Sequence, residues 1–405
     1  MKLLFASDSF KGTLSSARTA ELLEKAAVEV FGDVACSSVP VADGGEGTVE
    51  AVITAERGEM LSAKVHGPLM EEVTASYGKI SDSKAIIEMA AASGLPMVPR
   101  DRRNPLHTTT FGTGELILDA LERGFRDISI AIGGSATNDG GMGCLRALGI
   151  RFLDQDGAEL SGCGSDLEKV RTIDVSGLDP RIADTKITVM CDVTNPLCGP
   201  SGSTMTFGAQ KGGTPEILEQ LEAGMQNYRD VIRDQFGTDP DRIPGSGAAG
   251  GLGAALTVFL KGEMRSGIET VLDLIHFDER LKGVDLVVTG EGRTDWQSCF
   301  GKVMQGVGQR SEKAGVPAVG LSGSLGKGAL QILDCGICSL MTSVDGAMPL
   351  EEALGRAEEL YYQGAVRMFR FIRTGMQIAA KAGNRAGSYP ASAQLQKRDP
   401  QKRNP

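Results

Sequence analysis

The sequence predicts an α/β fold class with two α/β domains, and three observations support that prediction. Short apolar segments alternate along the chain with amphipathic helical segments, as in β-α-β units. Most of these apolar segments end in Gly, Ser or Asp, as buried parallel strands often do. The chain has 405 residues, and a single core rarely grows beyond roughly 250–300 residues. We therefore expect two cores with a cleft between them.

The first strand is predicted at the apolar run 3–7, and a helix follows from Ser15 to Val30. In this helix Ala20, Leu23 and Ala27 share one face at helical spacing. Further strands are predicted at Ala85–Met89, Ile128–Ile132, Ile187–Met190, Asp285–Thr289 and Ala318–Ser322. Because ligands of such folds bind at the carboxyl ends of strands, the residues after each strand are the candidate site residues.

The net charge of −10 argues against nucleic acid as a partner, because affinity for a polyanion comes mainly from Lys and Arg. No stretch approaches the roughly 20 uninterrupted apolar residues that cross a bilayer. Asp8 interrupts the first apolar run before a signal sequence would be complete. We therefore expect no membrane partner and a cytoplasmic location. Whether the protein forms homo-oligomers cannot be read from the sequence.

The eight cysteines are scattered without framework spacing, which indicates reduced thiols. Cys335 and Cys338 form the single CxxC pair. A strand end is the favoured interpretation of this pair, since structural zinc requires further ligands at suitable spacing.

The 54 glycines exceed by about twofold the ~7% share of an average chain. They cluster beside Asp, Asn and Thr, which indicates tight turns whose backbone amides face a ligand. From about Gly375 onward the composition becomes basic. We expect residues 375–405 to form a disordered tail.

The segment Asp8–Thr13 follows the first strand and precedes a helix, a position at which phosphate is attracted. Lys11 adds a positive charge there. A capped helix start with a surface lysine explains the segment equally well.

The segment Pro40–Thr48 contains Asp43 and Glu46 among three glycines, including Gly44 and Gly45. Glycines allow the backbone to approach a ligand, and paired carboxylates hold magnesium or a proton. The alternative is that an acidic residue here only stabilises the start of the following helix.

Two further glycine-rich segments are candidate phosphate-binding loops. The first, Ile132–Gly141, follows a predicted strand directly, and a simple turn would rarely need so many small polar residues. The second, Pro244–Gly253, matches the G-x-G-x-x-G pattern but lacks the preceding strand that gives this pattern its meaning. The candidate residues of the two loops are Gly133, Gly134, Ser135, Thr137, Asn138, Gly247 and Gly250.

Two acidic segments complete the candidate site. Asp192 follows the strand Ile187–Met190 and is well placed to act as a general base, although an Asx cap before Pro196 explains it equally well. The segment Thr289–Asp295 offers Glu291 and Asp295 for a metal and Arg293 for a phosphate, with a salt-bridged turn as the alternative. The chain contains neither a P-loop nor the protein-kinase motifs.

Together these segments resemble the glycerate kinase family of bacterial type over roughly residues 1–374. The resemblance is carried by DSFKGT, PVADGGEGT, EMAAASGLP, RNPLHTTTFGTGEL, GGSATNDGGMG, SGLDPR, CDVTNPLCGPSG, PGSGAAGGLG and TGEGRTDWQS. It implies ATP-dependent phosphorylation of D-glycerate, a magnesium requirement and a flavodoxin-like parallel-sheet domain with a second α/β domain inserted into it. The expected division is 1–66 plus 279–374 for the first domain and 67–278 for the second.

Phosphoryl transfer requires carboxylates for magnesium, amides for phosphates and a base for the acceptor hydroxyl. We expect Asp43, Glu291 and Asp295 to serve magnesium. Lys11 and Arg293 would neutralise a phosphate or the substrate carboxylate. Asp192 is the expected base.

Asp8 is the closest competitor of Asp192 for the role of base. The resemblance favours 2-phosphoglycerate over 3-phosphoglycerate as the product. A non-catalytic sensor of organic acids or nucleotides, and a mutase or phosphatase acting on sugar acids, are the rival functions. No nucleophilic residue stands in a motif of the kind that a mutase or phosphatase normally displays.

Overall fold

The structure is a computed structural model, and it describes residues 1–10 and 12–385. The strands are β1 Lys2–Phe5, β2 Ala35–Ser38, β3 Glu59–His66, β4 Glu72–Lys79, β5 Lys84–Glu88, β6 Asp127–Ala131, β7 Arg151–Leu153, β8 Thr172–Asp174, β9 Lys186–Met190, β10 Glu263–Arg265, β11 Leu286–Thr289, β12 Arg293–Thr294, β13 Ala318–Ser322, β14 Ser324–Leu325 and β15 Ile337–Thr342. The α-helices are α1 Ser16–Phe31, α2 Thr48–Glu56, α3 Ala90–Ser93, α4 Phe111–Glu122, α5 Met142–Ala147, α6 Ser203–Phe207, α7 Pro215–Phe236, α8 Leu252–Val258, α9 Gly267–Leu274, α10 Phe277–Arg280, α11 Val303–Lys313, α12 Leu350–Gly355 and α13 Ala357–Arg385.

The first sheet contains five parallel strands in the order β15-β13-β11-β1-β2. Counted along the chain, its strands lie in the order 2-1-3-4-5, which is the flavodoxin-like arrangement. The predicted fold class is therefore confirmed, and each strand predicted for this sheet lies within a residue or two of its expected position.

The second sheet contains six strands in the order β10-β9-β6-β5-β4-β3. The strands β10, β9, β6 and β5 are parallel. The strands β4 and β3 are antiparallel and form a hairpin at the edge of the sheet. Because β3 pairs along its whole length with β4, the chain enters the second sheet before Glu59, whereas the predicted domain boundary lies after His66.

A hydrophobic core joins the two sheets. Ile86 and Met190 from the second sheet belong to the same buried cluster as Leu4 and Val287 from the first sheet. Further buried clusters lie on the outer side of each sheet. The two sheets therefore share apolar packing below the edge at which their strands end.

The last helix, α13, packs against the first sheet and against α1. Phe369 of α13 contacts Phe5 and Phe31 through its ring. The helix continues past Gly375 to Arg385, so the predicted disorder is wrong for residues 375–385. Most residues after Gly375 are good helix formers, and they extend a helix that packing has already fixed. Residues 386–405 of the predicted tail lie outside the described residues.

Among the helices of the described residues, none has the length and apolar character that crossing a bilayer requires.

Candidate active site

The carboxyl ends of the two sheets border two neighbouring cavities. The glycine-loop cavity, of about 430 Å³, is lined mainly by residues that follow β6 and β9, together with the loop before α2. Its lining includes Asp43, Gly44, Gly45, Gly133, Gly134, Ser135, Asp192 and Lys211. The arginine cavity, of about 470 Å³, is lined mainly by residues that follow β1, β11, β13 and β15. Its lining includes Asp8, Ser9, Asp43, Glu291, Arg293 and Lys302.

Asp43 lines both cavities. Its Oδ1 accepts a hydrogen bond from Gly45 N at 3.2 Å. The backbone around it is tightly packed: a Cβ on Gly267 would lie 2.2 Å from the Asp43 carbonyl oxygen, and a Cβ on Gly44 would lie 2.9 Å from Gly267 Cα. Only glycine allows these backbones to approach so closely. Close packing of two backbones therefore explains the glycine at position 44, and the approach of this backbone to a ligand stays a prediction.

The glycine-rich segments Pro40–Thr48 and Ile132–Gly141 meet across the cleft. A Cβ on Gly133 would lie 3.4 Å from Gly45 Cα and 3.5 Å from Gly44 O. Gly133 and Gly134 are exposed to the cavity, and Ser135 is buried. The structure thus brings together five of the predicted phosphate-binding residues, although their contact with a phosphate stays a prediction.

Asp192 lies at the carboxyl end of β9, and one oxygen of its carboxylate accepts both of its side-chain hydrogen bonds. Its Oδ1 accepts from Ser266 Oγ at 3.0 Å and from Gly267 N at 2.9 Å. The residue is open to the cleft, but its carboxyl group lies close to the backbone of three glycines, Gly44, Gly267 and Gly301. Burial raises the pKa of Asp192 to about 6, the negative charge of Asp43 adds to this, and the two hydrogen bonds oppose it. A carboxylate with this pKa suits a general base at neutral pH.

Lys211 also lines the glycine-loop cavity, and the sequence analysis did not select it. It is only 2% exposed, and its Nζ donates to Thr137 O at 2.6 Å. Burial lowers the pKa of Lys211 to about 7, while the negative charge of Asp139 opposes the shift. The segment 207–212, FGAQKG, contains two glycines and an alanine near the lysine, and this sequence signal does not distinguish a buried lysine from a surface one.

Thr137 and Asn138 lie below the cavity and do not line it. Both are fully buried. The Asn138 side chain donates to Thr204 Oγ1 at 3.0 Å and accepts from Ser203 Oγ at 3.3 Å. These two contacts fix the loop onto α6, so the geometry gives Asn138 a structural role.

Gly247 and Gly250 likewise lie outside both cavity linings. A Cβ on Gly247 would lie 2.0 Å from Pro196 O, and one on Gly250 would lie 2.0 Å from Thr137 O. These glycines therefore serve backbone packing beneath the glycine-loop cavity. The phosphate-binding role predicted for them has no support in the geometry.

In the arginine cavity, the predicted Asp8, Glu291 and Arg293 lie together. The first strand is joined to the β11 loop by a hydrogen bond from Asp8 N to Gly290 O at 2.9 Å. Glu291 is 8% exposed and accepts hydrogen bonds from Thr294 and Ser298 on its Oε1. Burial raises the pKa of Glu291, and the Ser298 hydrogen bond opposes the shift. Lys11 lies outside the described residues.

Asp295 lines neither cavity. It caps the short 3-10 helix Trp296–Cys299, where its Oδ1 accepts from Gln297 N at 2.9 Å. Its Oδ2 lies 3.9 Å from Arg293 Nε. The salt-bridged turn that the sequence left open as an alternative therefore describes Asp295 well.

In the part of the chain that the structure describes, no three His, Cys, Asp or Glu side chains form a group that could hold a metal ion. The predicted set of Asp43, Glu291 and Asp295 is therefore not a ready-made cluster. Asp43 and Glu291 do share the arginine cavity. This arrangement suits Mg²⁺, which usually keeps several waters and takes one or two carboxylates together with substrate phosphates.

Glu88 is another acidic residue that the sequence analysis missed. It ends β5, and its Oε1 accepts from Val49 N at 2.8 Å, at the start of α2. Burial raises the pKa of Glu88, while hydrogen bonds from backbone amides at the helix start oppose the shift. Glu88 thus joins the second sheet to the helix that follows Asp43.

A flavodoxin-like sheet, a second α/β sheet and a polar cleft at their carboxyl edges define an α/β protein of the enzyme type, with its candidate site between the two sheets. The family model described as "Glycerate kinase family" matches residues 3–373. The chain belongs to this family.

Individual relatives agree with this assignment. Glycerate 2-kinase of Escherichia coli (strain K12) is 45% identical over 380 residues, which cover 94% of this chain and 100% of the relative. Glycerate kinase of Bacillus subtilis (strain 168) is 45% identical over 360 residues, which cover 89% and 94%. A crystal structure from Salmonella typhimurium LT2, provisionally named glycerate kinase 2, has a TM-score of 0.83 and 43% identity and covers 93% of this chain and 99% of its own.

Proposed function

We infer that this protein transfers a phosphoryl group from ATP to D-glycerate and that the product is 2-phosphoglycerate. The observation that carries this proposal is the position of Asp192 beside Asp43, where the two cavities adjoin, with a carboxyl pKa of about 6. Membership of the glycerate kinase family and the name of the E. coli relative support the substrate and the position of transfer.

The two cavities suggest a division of the substrates. The glycine-loop cavity, with its backbone amides, suits the phosphates of ATP. The arginine cavity carries Arg293 and Lys302, which suit the carboxylate of glycerate. Asp192 lies in the glycine-loop cavity beside Asp43, which lines both cavities. It would accept the proton of a glycerate hydroxyl that reaches from the arginine cavity towards the phosphates, because its free Oδ2 and its raised pKa fit a general base. Asp8 lines the arginine cavity and remains the competing candidate.

Magnesium is part of this proposal. Asp43 and Glu291 would hold the ion together with the nucleotide phosphates, and the ion would neutralise charge that develops on the phosphates. The Asp295 carboxylate accepts the hydrogen bond that caps the helix, and it lies near Arg293. Asp295 would therefore position the Arg293 side chain and would not bind the metal.

A coupled assay of ADP release tests the function. We expect release to require ATP, magnesium and D-glycerate together, which neither a sensor nor a phosphatase would show. ADP release that is independent of D-glycerate would contradict the proposal.

Phosphorus NMR of the product tests the position of transfer. We expect the signal of 2-phosphoglycerate, and a pure 3-phosphoglycerate signal would overturn that part of the proposal.

A further inference from the structure

Lys211 is a buried cation whose surroundings do not use its full hydrogen-bonding capacity. Its side chain is 2% exposed, yet it lines the glycine-loop cavity. A lysine ammonium has three N–H donors. Within the described residues, one of these donors has a protein acceptor, Thr137 O at 2.6 Å. A buried polar group without partners is costly, so the remaining donors call for an acceptor in the cavity.

The backbone beside Lys211 offers more donors of the same kind. The amides of Gly133, Gly134 and Ser135 have no hydrogen-bond acceptor in the described part of the chain. The carbonyl of Gly134 is used, because it accepts from Leu95 N at 2.9 Å. Successive free amides at one turn form an anion-binding concavity.

Three acidic residues lie around Lys211, two in the cavity lining and one on its other side. Among the described residues that line it, Lys211 is the one cation, and Asp43 and Asp192 are the acids. The negative charge of Asp139 raises the pKa of Lys211, but the Asp139 carboxylate accepts hydrogen bonds from other residues. Its carboxylate accepts from Thr110 N and Oγ1, both at 2.7 Å, and from Gly141 N at 3.0 Å. Asp139 is therefore held by other donors, and the ammonium form of Lys211 carries a charge that an anion entering the cavity can balance.

We propose that Lys211 binds a phosphate group of the nucleotide, together with the backbone amides of Gly133, Gly134 and Ser135. This proposal rests on the proposed function for the identity of the nucleotide. A phosphate fits better than the glycerate carboxylate, because a phosphate has enough oxygens to accept from both Lys211 and several amides. The arginine cavity already supplies Arg293 and Lys302 for a carboxylate.

The protonation state of Lys211 before binding leads to a measurable result, the uptake of a proton when the phosphate binds. Since the pKa of Lys211 is about 7 in the free protein, the amine is mostly neutral at about pH 8. A bound phosphate stabilises the ammonium form and raises this pKa. Binding at this pH therefore takes up a proton from the buffer. Asp43, Asp192, Cys191 and Asp139 are the other ionisable groups around the lysine and the cavity, and replacing Lys211 alone isolates its contribution.

The test uses the full chain and isothermal titration calorimetry at about pH 8, without magnesium, with ADP and separately with pyrophosphate as probes. Titrations in buffers of different ionisation enthalpy measure the proton uptake. The variants are Lys211→Met, which removes both charge and donor, and Lys211→Gln, which keeps a donor for the Thr137 carbonyl. Lys313→Met is the matched control, because Lys313 is an exposed lysine on α11.

We expect both Lys211 variants to melt near the wild-type temperature, to bind each probe at least about tenfold more weakly and to lose the proton uptake. Lys313→Met should behave as the wild type. Wild-type affinity in Lys211→Gln would overturn the proposal, since it would leave Lys211 only the Thr137 contact. Loss of folding in both Lys211 variants would overturn it as well.

The two proposals fail in different ways. If the wild type binds pyrophosphate through Lys211 but shows no ADP release that depends on D-glycerate, the anion site stands and the kinase function fails. If the wild type binds neither probe, the anion site itself is overturned.

Discussion

The two cavities of the site differ in the groups that line them. The glycine-loop cavity consists mostly of backbone and of groups that the fold holds in place, such as Lys211 at 2% exposure. The arginine cavity uses long side chains, and the Arg293 side chain is 68% exposed. Electrostatic interactions weaken when solvent surrounds the charges. The glycine-loop cavity is therefore suited to holding the phosphates in a fixed position. The arginine cavity is suited to binding a small organic acid less rigidly.

The largest expected effect concerns the base. Asp192→Asn should lower kcat by about 10²–10⁴-fold, because the amide cannot accept the proton. Binding of ADP, followed by calorimetry, should not weaken, since the substitution removes a negative charge from the cavity proposed for the phosphates. Asp8→Asn, at the rival position in the arginine cavity, should lower kcat less. An Asp192→Asn enzyme with wild-type turnover would remove Asp192 from the role.

The next effect concerns the point at which the two cavities adjoin. In Gly267→Ala the new Cβ would lie 2.2 Å from Asp43 O and 2.8 Å from Asp192 Oδ2. Relief of this overlap should displace both acids and lower kcat by about 100-fold, as small misplacements of reacting groups do. Overpacking should also destabilise the fold by about 1–3 kcal/mol.

Gly346→Ala is the control for this change, because its Cβ would meet no atom within 4 Å. Kinetics and thermal melting of the two variants measure the contrast. Equal behaviour of the two would show that close packing at Gly267 does not matter.

A smaller effect is expected in the arginine cavity. Arg293→Ala should raise the KM for D-glycerate about tenfold, because a charge-assisted hydrogen bond to an exposed group contributes at the low end of about 1.5–3 kcal/mol. The KM for ATP should stay unchanged. Arg242→Ala, on an 87% exposed side chain, serves as the control. A rise in the KM for ATP instead would reverse the assignment of the two cavities.

The smallest effect is a shift in pH dependence. Because the pKa of Asp192 is raised to about 6 and the carboxylate is the active form, kcat should fall as the pH drops below about 6. Ser266→Ala removes a hydrogen bond that lowers this pKa. The fall of kcat on the acidic side of the pH–rate profile, the acid limb, should therefore move to higher pH by a fraction of a unit. Rates on the plateau near pH 8 should match the wild type. A shift to lower pH would contradict the assignment of this limb to Asp192.

The parallel strands and the loops after them could be predicted from the sequence, because strand burial and turn chemistry are local patterns. The same patterns placed Gly133 and Asp192 at strand ends, and the structure brings both into one cavity with Asp43. The β3–β4 hairpin was missed because its strands are partly exposed and lack a continuous apolar run.

The sequence could not show which polar side chains and which glycines are buried in the folded protein. A lysine is normally exposed, so only the tertiary packing reveals that Lys211 is enclosed. Glycine-rich motifs look alike whether the glycine faces a ligand, as Gly133 does, or another backbone, as Gly247 does. An acid at the start of a helix likewise looks the same whether it caps the helix, as Asp295 does, or remains available to a ligand.

The shared hydrophobic core beneath the cleft has a consequence for how this protein can change. Ile86 and Met190 pack with Leu4 and Val287 across the boundary between the sheets, and separating the sheets would expose these side chains to water. Neither half is therefore an exchangeable module that could be cut out and recombined with another partner. Substitutions at this boundary must be compensated on the opposite sheet, so the two halves are constrained to evolve together.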